Sequence, residues 1–138
     1  MKRLLLVATT LSIAGLTMMN PPLLHSQTNE AKKPVVFACN MKALTPEQRK
    51  RHSDVLSPAL RSSKLKTDEL SDGYEFQFPS DAKTYQMVAE WVGNERLCCP
   101  FFDFVIQIGD SSAPMKLRIS GADGVKQFIK AELPAMVG

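Results

Sequence analysis

With 138 residues, 44% of them hydrophobic, the chain is long enough for one modest core and too short for two. Its formal charge of +3 counts Lys2 and Arg3 at the extreme N-terminus, and without them the balance is near +1, which argues against a nucleic-acid partner. No glycine-rich phosphate loop, dinucleotide fingerprint, nucleophile elbow or Cys-x-x-Cys pair occurs, so the nucleotide, serine-hydrolase and thioredoxin classes are unsupported.

The N-terminus reads as an export leader. Met1-Lys2-Arg3 is the positive start and Leu4 to Met19 the apolar stretch of a secretory signal. The stretch gives way to Asn20-Pro21-Pro22, short of the roughly 20 apolar residues that a membrane helix needs. Cleavage is expected between Ser26 and Ala31, and the absence of a cysteine there argues against a lipidated product. The expected organisation is a signal peptide over 1–26, a polar, proline-bearing tether over 27–34 and one domain over 35–138. The expected location is outside the cytoplasm, periplasmic or extracellular, with membrane contact only through an uncleaved leader.

Within the domain, Val35 to Met41 alternates as a strand with Val35, Phe37, Cys39 and Met41 on one face. Thr45-Pro46-Glu47-Gln48 supplies an N-cap, a first-turn proline and a capping-box glutamine. The helix that follows has His52, Val55, Leu56 and Ala59 as its inward stripe, and Pro58 is expected to end or kink it near Ser57. The basic residues Lys42, Arg49, Lys50 and Arg51 read as a solvated face.

Lys64 to Leu70, the turn Ser71-Asp72-Gly73, and Tyr74, Phe76 and Phe78 alternating with Glu75 and Gln77 form a hairpin with one wet face. Ser80 or Asp81 caps a second helix carrying Tyr85, Val88, Ala89, Trp91 and Val92. Phe102, Phe104, Ile106 and Ile108, then Met115, Leu117 and Ile119, form a second hairpin, and a last helix carries Val125, Phe128, Ile129 and Leu133. The order β-α-β-β-α-β-β-α predicts an α+β fold, an antiparallel sheet with helices on one face and a ferredoxin-like flavour. Phe37, Phe76, Phe102 and Leu117 are expected on the covered face.

Chemistry concentrates where the second helix ends, at Glu95-Arg96-Leu97-Cys98-Cys99-Pro100-Phe101-Phe102. Glu95 falls inside the helix's apolar arc, one turn before Cys98. A buried carboxylate needs a partner, either Arg96 or another cation, unless it works chemically or toward a metal. Pro100 disfavours the helical region for the residue before it, which makes Cys98 the last helical residue and Cys99 extended, with diverging side chains. A vicinal disulfide is disfavoured, because adjacent α-carbons lie about 3.8 Å apart and unstrained disulfides span about 4.4 to 6.8 Å. A helix C-terminus beside a carboxylate raises a thiol pKa, so Cys98 is a poor catalytic thiolate unless Arg96 or His52 compensates.

Three readings follow. Cys39 pairs with Cys98 or Cys99 in a disulfide that leaves one thiol free, the setting of a structural or interaction domain with no catalytic activity. Alternatively Cys39, Cys98 and Cys99 hold a soft metal ion such as copper(I), zinc or mercury, helped by Glu95 or His52. The third is a thiol-dependent redox or organometal-cleaving enzyme with Glu95 as acid/base and Cys98 or Cys99 as the reacting thiol. His52, on an inward stripe, is more ordinarily a core residue than a ligand.

Glu95-x-x-Cys98-Cys99-Pro100-Phe101, with Cys39 on an expected early strand and the Arg51-His52 step on the helix after it, resembles a group of small uncharacterised bacterial proteins. The likeness spans most of residues 35 to 133. It implies no activity, only a loose association with heavy-metal handling. Many of that group look cytosolic, whereas this chain begins with an export leader.

Overall fold

The computed structural model describes residues 37–138. The expected leader, the tether, and Val35 and Val36 of the first expected strand lie outside the described residues.

The fold is α+β, centred on a four-stranded sheet of β1 (Lys66–Glu69), β2 (Gly73–Phe78), β3 (Asp103–Gln107) and β4 (Met115–Ser120). The strands lie in the order β1-β2-β4-β3, and every neighbouring pair is antiparallel. The sheet therefore joins two hairpins side by side, without the parallel pairing that a βαβ crossover brings.

Register follows the alternation read from the sequence. Tyr74, Phe76 and Phe78 sit opposite Ile119, Leu117 and Met115, and all six are buried. Each such side chain contributes about 2 kcal/mol of transfer free energy. The other face carries Glu75, Gln77, Lys116 and Arg118, with Lys116 paired to Glu75 at 3.0 Å and Arg118 to Asp72 at 2.8 Å. Gly73 opens β2 because a Cβ there would collide with the Ile119 carbonyl of β4.

The outer edge departs from expectation. Ile106 shares its face with Leu117 yet is 39% exposed, and Ile108 is 53% exposed. β3 is an edge strand, and it meets the helical layer at Phe104, whose ring lies edge-on to Trp91 at 6.3 Å.

The strand expected over Val35–Met41 does not form within the described residues. Residues 37–40 have no regular structure, and Met41–Ala43 is a 3₁₀ turn capped by Asn40. The reason is where its hydrogen bonds go: Asn40 N–H donates to the Cys98 carbonyl at 2.7 Å, so the segment caps a helix end instead of joining the sheet.

Pro58 does not end its helix. α1 (Pro46–Arg51), a π-helical turn (His52–Leu56) and α2 (Ser57–Ser63) run on without a break. α1 opens with the expected capping box on Thr45 and Gln48. In the π turn Ser57 N–H bonds back to His52, and the wider turn accommodates the proline ring that would clash in a regular helix. It also shifts the helix phase. His52, Leu56 and Leu60 are buried, whereas Val55, expected inside, is 49% exposed.

α3 (Ala82–Cys98) is capped by Asp81, which accepts from Thr84 N–H at 3.0 Å. It buries Val88, Trp91, Val92, Asn94, Glu95 and Cys98, while Ala89 faces solvent. α4 (Val125–Glu132) buries Val125 and Ile129, and α5 (Pro134–Val137) buries Met136. Before α4, Gly124 has φ of 97°, and a Cβ there would meet the Phe37 ring at 3.0 Å, so glycine serves both backbone and packing at this point.

Candidate functional site

The end of α3 positions the site. Cys98 is its last helical residue, and Cys99 follows with φ −125° and ψ 67°, its N–H donating to the Glu95 carbonyl at 2.6 Å. Pro100 and Phe101 then turn the chain, and Phe102 N–H returns to the Cys99 carbonyl at 3.2 Å.

That turn corrects one expectation. The two cysteine side chains do not diverge: their sulfurs lie 3.6 Å apart, because the turn folds Cys99 back beside the helix end. They are nevertheless not bonded to each other. Cys39 and Cys99 lie at disulfide-bonding distance with α-carbons 4.6 Å apart, within the range of an unstrained bridge, and Cys98 is the free, buried thiol.

Glu95 is buried and its partner is not Arg96, which is exposed. Glu95 Oε1 lies 3.0 Å from His52 Nε2, across from the π turn, and both side chains are more than nine-tenths buried. His52 stacks on Trp91 at 5.8 Å with 17° between planes, and its Nδ1 has no partner among the described residues. Trp91 Nε1 donates in turn to Ser57 Oγ at 3.1 Å. Next to His52, Arg51 forms an exposed bidentate pair with Glu90.

The other carboxylate oxygen of Glu95 faces the thiol, with Cys98 Sγ 3.8 Å from Oε2. Burial first, and the Glu95 charge second, push the Cys98 thiol up to about 11. At neutral pH this sulfur is almost wholly protonated, the opposite of an activated cysteine nucleophile.

One ligand atom each from Cys39, Glu95 and Cys99 lie within 4.8 Å of one another. The structure thus gathers all three cysteines and Glu95, and leaves His52 behind Glu95, outside the group. These residues line a cleft of about 450 Å³ whose other walls include Phe37, Met41, Phe102, Phe128 and Leu133. Sequence reasoning did not assign these apolar residues to the site. Their only sequence signal is core-type alternation, which does not distinguish a wall of a cleft from a packed interior. Phe37 reaches the site through an aromatic cluster, 5.0 Å from Phe101 and 6.0 Å from Phe128 between ring centres.

No family model, no curated protein and no solved structure matches this chain. Among the described residues no helix is long and apolar enough to cross a membrane. A Cys39–Cys99 pair at bonding distance is typical of exported proteins, since reducing compartments keep thiols from forming disulfides.

Proposed function

We propose that this is an exported protein that binds a soft metal ion through Cys39, Cys98 and Cys99, with the Cys39–Cys99 bond as its switch. The observation that carries the reading is the convergence of Cys39, Glu95 and Cys99 ligand atoms within 4.8 Å, with the Cys98 sulfur 3.6 Å from that of Cys99. Two thiolates on one tetrahedral ion, each about 2.3 Å from it, lie roughly 3.8 Å apart; the Cys98 and Cys99 sulfurs already stand 3.6 Å apart, and Cys39 moves off Cys99 to that spacing once their bond opens. Copper(I), zinc and mercury(II) are the ions that thiolates select. Glu95 supplies an oxygen ligand or a negative charge beside the ion, and His52 fixes the carboxylate from behind.

In the bonded state two of the three sulfurs carry no thiolate. A dithiol reductant delivers two electrons and two protons to the Cys39–Cys99 bond and is itself oxidised to a disulfide. The metal ion then replaces the thiol protons, because coordination deprotonates a thiol outright.

A second reading has support of its own: the Cys39–Cys99 pairing by itself suits a disulfide-stabilised structural or interaction domain. The enzyme reading has less, since a thiol at about 11 is a weak nucleophile at neutral pH. Mass spectrometry with and without reduction, followed by copper(I), zinc and mercury(II) titration of both forms, separates these. Tight 1:1 uptake by the reduced form only, lost in Cys98→Ser or Cys99→Ser, is the expected result. Absence of uptake by either form excludes the metal reading and leaves the structural one.

A further inference from the structure

The cleft is larger than a bare ion requires. Three sulfurs and a carboxylate close around an ion within a few ångströms, yet the cavity they line measures about 450 Å³, in the range of about 300 to 1,000 Å³ typical of clefts that hold small organic molecules. Its remaining wall is mainly apolar. Phe102 is 6% exposed, and Phe37, Met41, Phe128 and Leu133 are partly buried against the core. The Phe102 and Phe128 rings stand 5.9 Å apart and the Phe37 and Phe128 rings 6.0 Å apart. Among the described residues no lysine, arginine or histidine lines the cleft, whereas Glu95 and Glu132 do, so this lining favours a cationic guest over an anionic one.

We propose that the metal taken by this site keeps one apolar organic group, with the metal on the sulfurs and the group seated among Phe37, Met41, Phe102, Phe128 and Leu133. The inference rests on the metal reading above and names its cargo, a soft metal–carbon cation. On binding, a metal–sulfur bond forms and the metal–halide or metal–hydroxide bond breaks. The thiol proton leaves with the displaced anion, the metal–carbon bond stays intact, and no oxidation state changes. Apolar surface on the guest leaves water for the aromatic wall, so affinity grows with the size of the organic group.

The test uses protein from the full coding sequence, reduced with a phosphine that is then removed. Methylmercury, ethylmercury and phenylmercury chlorides and inorganic mercury(II) are titrated in competition with glutathione. The expected result is an affinity relative to glutathione that climbs at least tenfold from methyl to phenyl. Leu133→Trp, which fills the cleft, removes that climb in protein that circular dichroism shows to be folded. Should Leu133→Trp fail to fold by circular dichroism, Met41→Trp, at another lining residue, is read the same way, and the wild-type series decides by itself. A flat wild-type series with inorganic mercury still bound overturns this inference and leaves the metal reading standing. Uptake of neither form of mercury overturns both.

Discussion

Breaking the Cys39–Cys99 bond removes a constraint whose size follows from its place in the chain. The two residues are separated by 60 positions. Cross-linking a loop of that length lowers the entropy of the unfolded chain by about 14 cal/mol/K, about 4 kcal/mol at 25 °C. In a domain of this size the corresponding fall in Tm is roughly 15 to 30 °C. The assay is urea and thermal unfolding of oxidised wild type, reduced wild type and Cys39→Ser, each followed by circular dichroism in chelator. Reduced wild type and Cys39→Ser are expected to coincide, both well below the oxidised protein. Cys98→Ser keeps the cross-link and serves as the control. If oxidised and reduced protein unfold within about 1 kcal/mol of each other, the loop-closure reasoning fails for this chain. The Phe37–Ala43 segment is then held by its packing, by the Asn40–Cys98 backbone bond and by the Arg49 side chain on the Met41 carbonyl.

Four further outcomes test the interior, the thiol and two glycines. His52→Ala strands the buried Glu95 carboxylate and is expected to cost about 3 kcal/mol, whereas Glu90→Ala, which breaks the exposed pair with Arg51, costs less than about 1 kcal/mol; similar losses in denaturant titrations refute the distinction. In the oxidised protein Cys98 alkylation by iodoacetamide is expected to quicken about tenfold per pH unit from about pH 8 to 10, because the thiol is pushed up to about 11; a plateau near pH 8.5 contradicts this. The sign of the linked stability follows. The unfolded thiol ionises near about 8.5, so stability falls as pH rises from there toward about 11, and Cys98→Ser flattens that slope. Gly73→Ala is expected to prevent folding through collision with β4, while Gly93→Ala, at a helical position with nothing within 4 Å of a new Cβ, gains about 0.5 to 1 kcal/mol; circular dichroism melts of the pair decide.

Local chemistry made much of this chain legible. Thr45-Pro46-Glu47-Gln48 and Asp81 mark helix starts that the structure keeps, because capping involves only neighbouring residues. Period-two alternation placed Tyr74, Phe76, Phe78, Met115, Leu117 and Ile119 on the buried face, and the sequence around Pro100 ended α3 at Cys98. The same local rules failed where a distant partner decides. The stretch ending at Met41 alternates like a strand, but Asn40 finds its backbone acceptor on Cys98. The helix expected to end or kink at Pro58 runs on through a π turn, which keeps His52 inward against Glu95 as the stripe predicted but turns Val55 outward.

The sequence alone determined the residue types of the site, three cysteines with a carboxylate one turn before the pair, and the α+β class, because spacing along a helix or strand is fixed by backbone geometry. It set the Cys98 and Cys99 side chains apart, where the turn after Cys99 brings their sulfurs within 3.6 Å, and it left open which of the two Cys39 meets. That last is a question of approach between segments 60 residues apart, and only tertiary packing sets such distances. Packing alone also joined Phe37 and Met41 to Phe102, Phe128 and Leu133 around the sulfurs, since a cleft belongs to no single element of the chain.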